Sequence, residues 1–342
     1  MRTLLLILPF LSSALCKVCL VTDFGAKGDN TTEDTTALQA ALDACTPGTI
    51  VFSAPGKYLS RSLNLTGKAD IELVIEAGAT LVLWPDINTW NSSGVFSDFL
   101  FVGPFRPAAE AEEVPSSRSG TPQTSTWLPS ASNVTIHGGG EIDGQGWRWW
   151  PYLKSRPRPF LISMVGVNGF TLSNLTLRDS PAWNTNLRGA FMSITHMTIL
   201  SNVDSCNGWL EAPNTDAFNI GGHDIYLAHN YVHNGDDCIP VFAWNNEDSY
   251  NILAEYMECN CGTNGGVVVM GDDSCGGANA SIYNVTFRHM VVNGTNEGAG
   301  VKICEPYMTP HGTISNITWE NYTINVRAPG SACECAHCIL FT

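Results

Sequence analysis

The chain has 342 residues, with 17 Lys and Arg against 32 Asp and Glu, for a formal net charge of −15. So acidic a balance excludes a phosphate-tracking nucleic-acid binder, which needs a basic face. Beyond the first residues no stretch is long and apolar enough to cross a bilayer.

The opening MRTLLLILPFLSSALC sets one Arg before an apolar run and small residues. It reads as a secretory signal peptide over 1–16, cut near Ala14 or Cys16. Residues 17–342 are expected to form a single domain, because elongated β architectures need not split at ordinary domain sizes. In VTDFGAKGDNTTEDTTALQAALDAC, Asp34 is placed as an N-cap, and Leu38, Ala41, Leu42 and Cys45 recur at helical spacing. A short amphipathic helix there would cover the open end of a stack of strands. Residues 104–129, rich in Pro, Ser, Ala and Glu, read as a long loop.

From about residue 160 two kinds of short strand alternate. One series is 170–177, 191–200, 223–232, 250–258, 283–292 and 314–324. The other is FLISMV (160–165), WNTNLR (183–188), TDAFNI (215–220), DDCIPV (236–241), GVVVMG (266–271) and GVKICE (300–305). Leu172, Ile199, Leu227 and Leu253 are spaced 27, 28 and 26 residues apart. A unit of that size built from short strands and turns predicts an all-β solenoid, a right-handed parallel β-helix. No tight two-residue hairpin turn joins adjacent runs, which speaks against a sandwich.

In a stack, equivalent strands lie about 4.8 Å apart. Asp216 leads one strand of the second series, and Asp236 and Asp237 lead the next. Stacking therefore brings three carboxylates to one surface, where like charges push pKa values apart in a way acid–base catalysis can use. Isolated aspartates more often cap turns, but three caps have no reason to converge.

His223, His229 and His233 scatter over strand and turn, so they read as solvated or hydrogen-bonded rather than as a metal site. His233 lies near the acid pair and could orient it. Trp147, Trp149 and Trp150 fit turn packing as well as sugar stacking, whereas Trp183 and Trp244 are better sugar platforms. Tyr307 follows the Lys302 strand and is placed along the cleft.

Twelve cysteines in a secreted chain imply disulfides. Cys19 and Cys45 flank the first segment, and Cys238 can pair with Cys259 or Cys261. The cluster Cys333, Cys335 and Cys338 reads as bridges, since its spacing fits zinc modules poorly. Acceptor sequons begin at Asn30, Asn64, Asn91, Asn133, Asn174, Asn279, Asn284, Asn293, Asn316 and Asn321. Several lie in strand-like NVT, NLT and NIT contexts and read as ladder residues rather than glycan carriers. Leader, bridges and sequons together favour a eukaryotic secreted, extracellular protein.

Five pieces, DFGAKGDNTTEDTTALQAAL, GGGEIDGQGWRWW (138–150), RPFLISMVGVNGFTLSNLTLRDSPAWN (158–184), NTD (214–216) and GDDC (235–238), occur in an order that resembles glycoside hydrolase family 28. These are the polygalacturonases and rhamnogalacturonan hydrolases that cut pectin. The resemblance implies an inverting, cofactor-free and metal-free hydrolase of α-1,4-linked galacturonate, acting as a monomer on a pectic polysaccharide, extracellularly and in reach of the cell wall. Asp236 looks like the general acid, and Asp216 and Asp237 like the pair that activates water. Asn214, Lys302, His233, Trp183, Trp244 and Tyr307 are the candidate substrate contacts. Inversion by two carboxylates asks for roughly 6.5–9.5 Å between acid and base, and retention for about 5 Å.

The sequence departs from this family where the substrate carboxylate is gripped. Where the usual Gly-His-Gly segment carries its His, this sequence has Asn264, Gly265 or Gly266, and the usual Arg-Ile-Lys reads Lys302, Ile303 and Cys304. Lys loses the bidentate fork of Arg, and Cys loses the charge. A rhamnogalacturonan or other neutral-sugar linkage is therefore an alternative substrate, and a non-catalytic pectin-binding relative an alternative role. A lyase would need a base with Ca²⁺ or several cations, and the strands after the acid pair offer Lys302 alone.

Overall fold

The computed structural model describes residues 17–90, 95–96, 98–103, 106–107, 130–152, 158–202, 211–243, 247–262, 268–270, 280–295, 298–302 and 312–325. The leader-like residues 1–16, most of the 104–129 loop and the Cys333–Cys338 cluster lie outside them.

The fold is a right-handed parallel β-helix, in which 19 of the described strands join one continuous ladder of parallel pairs. Alternation along each strand sends one residue inward and the next outward, so inward positions of successive coils stack on their own kind. One such row runs Ile136, Leu172, Ile194, Leu227, Ala254, Phe287 and Trp319. A second runs Ile142, Leu177, Ile199, Val232, Cys259 and Val292. Most of these side chains are fully buried in one core running the length of the solenoid. Burial of each aliphatic or aromatic member contributes about 1.5–3 kcal/mol.

The register corrects the expected repeat. Leu172 and Leu227 share a row, but Ile199 belongs to the second row, and Leu253 is half-buried and points outward beside Tyr226 and Thr286. The coils also differ in length. Along the outer ladder Asp224–Asn251–Asn284–Asn316 the steps are 27, 33 and 32 residues. Turns absorb these insertions without disturbing the strands, so no fixed period can be read along the chain.

Two corners explain the asparagines and histidines. Asp70, Asn133, Asp224, Asn251, Asn284 and Asn316 all take left-handed backbone conformations, φ 49 to 56°, which Asn and Asp tolerate better than most residues. Their side chains bond coil to coil: Asn133 to Asp70 at 2.8 Å, Asn251 to Asp224 at 3.1 Å, Asn284 to Asn251 at 2.6 Å and Asn316 to Asn284 at 3.2 Å. At the second corner His196, His229, Tyr256 and His289 stack ring on ring at 5.1, 5.1 and 4.7 Å. The sequons at Asn133, Asn284 and Asn316 thus lie on the first ladder, as their strand-like contexts suggested. Asn174 and Asn321 are likewise left-handed.

The helix Thr35–Ala44 forms where expected and buries Leu38, Ala41 and Leu42, with Cys45 bridged to Cys19. Asp34 stands at its N-cap but does not cap it through its side chain. Its carboxylate instead accepts from the backbone N–H of Lys27 (2.7 Å) and Gly28 (3.0 Å), because its helix-like φ and ψ turn the side chain to the preceding loop. No helix among the described residues is long and apolar enough to cross a membrane.

Candidate active site

The three aspartates lie where two coils leave their sheets. Asp216 precedes the strand Phe218–Ala228, and Asp236 and Asp237 follow the strand Tyr231–His233 and lead into the next coil. Backbone bonds set the stacking directly. The Leu161 N–H donates to Trp183 C=O (3.3 Å), Asn184 N–H to Asp216 C=O (2.8 Å), and Ala217 N–H to Asp237 C=O (2.9 Å). One carboxylate oxygen from each of Asp216, Asp236 and Asp237 lies within 4.8 Å of the other two, and the residues are only 6, 4 and 3% exposed.

A polar scaffold holds them. The Asn234 amide donates to the carbonyls of Thr215 (2.8 Å) and Asp237 (3.0 Å), so one side chain clamps the two coils together. Asn184 donates from below to Thr215 C=O (2.9 Å), and the Gly235 N–H donates to Thr215 Oγ1 (2.8 Å). The Asp237 N–H donates to Asp236 Oδ1 (2.9 Å), which fixes that carboxylate. Cys238, next in the chain, is bridged to Cys259 of the following coil, which settles the two pairings left open by sequence; Cys261 is also in a disulfide. Gly262 packs its bare Cα against the Asp236 carbonyl, where any Cβ would collide with backbone.

Arg158 was not singled out by sequence, although it opens the RPFLISMV piece. It is 5% exposed and donates through Nη1 to Pro181 C=O (2.8 Å) and Pro213 C=O (2.7 Å), and through Nη2 to Asn214 Oδ1 (2.7 Å). Burial lowers its pKa to about 10, while attraction from Asp216 and Asp236 pulls the other way. It is therefore a buried cation within the field of the acidic cluster. The signal in the sequence was an Arg-Pro pair ahead of an apolar strand, which is too common to single out without the coil contacts.

Other candidates fare differently. Asn214 sits next to the cluster in a left-handed conformation (φ 54°), half-buried. Trp183 is not a sugar platform: it is 4% exposed and stacks between Phe160 (4.5 Å) and Phe242 (6.0 Å). His233 occupies an outward row between Leu200 and Asn260. His223 pairs with Asp224 at 2.7 Å and stacks on Tyr250, while His229 stacks in the second corner, so the three histidines do not converge. Lys302 ends the strand Gly300–Lys302, which pairs with Val268–Met270 as the second series implied. Trp244, Tyr307 and Asn264–Gly266 lie outside the described residues.

The stack itself brings the acids together: two members are sequence neighbours and the third is one coil away, a step of about 4.8 Å.

Residues 109–332 match the model of glycosyl hydrolases family 28, and residues 19–78 match that of rhamnogalacturonase A/epimerase, pectate lyase-like proteins. Among curated relatives, a probable polygalacturonase of Arabidopsis thaliana is 27% identical over 318 residues, covering 90% of this chain and 59% of the relative. Exopolygalacturonase X of Aspergillus niger is 27% identical over 260 residues, covering 73% and 51%. The chain thus spans little more than half the length of these relatives. Among solved structures, the endo-xylogalacturonan hydrolase of Aspergillus tubingensis superposes with a TM-score of 0.68 at 22% identity, over 90% of this chain and 74% of that one. The family 28 exopolygalacturonase of Yersinia enterocolitica gives 0.64 at 17% identity, over 93% and 67%. With coil register, carboxylate cluster and family model in agreement, this chain belongs to glycosyl hydrolases family 28.

Proposed function

We propose that the chain hydrolyses α-1,4-linked galacturonate in pectin, as a secreted monomeric enzyme built from a single domain over 17–342. The observation that carries this reading is the convergence of Asp216, Asp236 and Asp237 within 4.8 Å on a polar scaffold. Asp236 protonates the leaving glycosidic oxygen; Asp216 and Asp237 hold and deprotonate the attacking water. Proton transfers of this kind contribute about 10²–10⁴-fold each. A water bonded to two oxygens at about 2.8 Å each spans close to 5 Å, so the observed spacing accommodates one such water. Inversion is the reading for this three-carboxylate site, with the attacking water held between Asp216 and Asp237. Observing the anomer first released from oligogalacturonides by proton NMR tests this: β product supports inversion, α product retention.

Secretion is supported by the disulfides Cys19–Cys45 and Cys238–Cys259, which persist in oxidising compartments. A second reading, cleavage of a rhamnose-containing or other neutral-sugar linkage, is favoured by Cys304 standing where the resemblance places a cation. Release of reducing ends from polygalacturonate and from rhamnogalacturonan, measured side by side, separates the two. Binding to either polymer with no turnover of both would overturn the hydrolase reading, and an unsaturated product absorbing in the ultraviolet would indicate a lyase.

A further inference from the structure

We infer that Arg148, stacked on Trp147, forms a distal subsite that grips the carboxylate of a galacturonate residue several sugars away from the bond being cut. The inference deepens the galacturonate reading proposed above and rests on it. It starts from the segment GQGWRWW (144–150), whose three tryptophans part ways in the fold. Trp149 is buried and meets Trp90 edge to face at 6.0 Å, and Trp150 donates through Nε1 to Ser180 C=O (3.0 Å). Trp147 instead is 54% exposed, with the Arg148 guanidinium over its ring, 4.2 Å from the centroid.

The turn is built to hold that pair in place. The N–H groups of Gly144 and Gly146 donate to Arg178 C=O (2.9 Å) and Asp179 C=O (2.7 Å), so close that a Cβ on either glycine would collide with carbonyl oxygens of the following coil. Gln145, left-handed at φ 49°, ties its Nε2 to Leu83 C=O of the preceding coil (2.7 Å) and accepts at Oε1 from Arg148 Nε (3.1 Å). The guanidinium is thus held at one nitrogen and one face, which leaves its two Nη groups to meet a ligand. Arg61, Lys68, Arg178 and Arg288 each pair with a carboxylate of the chain. Arg148 has no acidic partner among the described residues; its contacts are Gln145 and Trp147. A planar fork ordered in advance suits a bidentate carboxylate, and the indole beside it suits the apolar surface of a sugar ring.

Stacking puts the pair on the same side of the solenoid as the acids. The strands Glu141–Asp143, Thr176–Arg178, Thr198–Leu200 and Tyr231–His233 pair in succession. Trp147 and Arg148 follow the first of them, Asp216 the third, and Asp236 and Asp237 the fourth. Arg148 therefore lies two coil steps from Asp216 and three from Asp236, about 10 Å and about 14 Å along the axis. A polymer lying along these turns with one linkage at the acids meets Arg148 with a later sugar. Cys304 stands where the resemblance places a cation beside the acids. A carboxylate grip at Arg148 gives uronate recognition from further along the chain, and a neutral-sugar chain would leave this cation without a counter-charge.

The test compares R148Q, R148K and W147A with wild type in the full chain. Binding is read on a D236N background by calorimetry, so that no ligand is consumed. Octagalacturonide binding is expected to weaken about five- to tenfold in R148Q and W147A, and less in R148K, which keeps the charge and loses the fork. The fully methyl-esterified octamer carries no carboxylate charge and should bind the R148Q variant as well as the parent. In the active chains, the loss of kcat/KM in R148Q should grow as the substrate lengthens from trimer to octamer. Octagalacturonide binding that R148Q leaves unmoved, an equal loss for the methyl ester, or a kinetic loss that is the same at every length overturns the inference. Binding through Arg148 without hydrolysis of any pectin would sink the hydrolase reading and leave this one standing. Turnover of polygalacturonate with unmoved R148Q binding would do the reverse. Should R148Q fail to fold, R148K against the two octamers decides in the same way.

Discussion

The back of the solenoid and its cleft are built by the same coil stacking and use it in opposite ways. On the back, each coil repeats its neighbour: Asn on Asn, ring on ring, aliphatic on aliphatic. Every bond there has near copies one coil away, so the loss of one is shared. At the cleft the backbone ladder continues but the side chains change from coil to coil. Asn184, Asn234, Thr215 and Arg158 bond to backbone and to one another across coils, and they hold like groups together at a spacing that costs energy. Regular stacking supplies the stability that lets an irregular, strained patch exist.

Five measurements would sharpen or break this contrast. Asp236→Asn should lower kcat about 10²–10⁴-fold with an unchanged melting temperature, since an amide keeps the shape and removes the proton. An active Asn variant would take Asp236 out of the mechanism. Leu227→Ala, in the middle of the buried row, should cost about 2–5 kcal/mol in denaturant titration and leave KM of the folded fraction intact. Loss of the Cys238–Cys259 bridge should cost about 2–4 kcal/mol and, unlike the core variant, also lower kcat, because the bridge begins one residue after Asp237. A drop in stability with untouched turnover would show that the cleft does not need the staple.

The smallest effects belong to the back. Asn251→Gly keeps the left-handed corner and removes two ladder bonds, for an expected loss of about 1 kcal/mol in thermal melts. Glu255 gives a pH signature. Burial alone would raise its pKa, but bonds from Arg288 Nε (2.7 Å) and the Tyr226 hydroxyl (2.9 Å) outweigh it, so the net displacement is downward from the ordinary 4.5. A carboxylate lowered on folding adds stability that is present above 4.5 and lost as pH falls through the folded-state value. The melting-temperature gap between wild type and Glu255→Gln should accordingly close on acidification below pH 4.5; a gap that widened would contradict the assigned direction.

The parallel ladder, the capping helix and the identity of the three acids were legible in the sequence because alternation, helical spacing and clustered Asp are local signals. The coil-to-coil pairing was legible only in part. Ile199 and Leu253 fit the period by number but not by register, since turns of unequal length shift the count. Trp183 looked like a platform because an aromatic next to a cleft strand often is one, yet Phe160 and Phe242 close over it from coils its sequence neighbourhood does not reveal. Arg158 was missed for the same reason: its acceptors lie 23 and 55 residues away.

By itself the chain determined that inward and outward positions alternate along the strands and that three carboxylates share a level of the stack. These follow from side-chain periodicity, which needs no partner from elsewhere in the chain. The tertiary structure alone decided how close those carboxylates lie, the cysteine that closes on Cys238, and the buried Arg158 that bonds from coil to coil. Such facts depend on the register between coils, and register is set by the summed packing of every row at once.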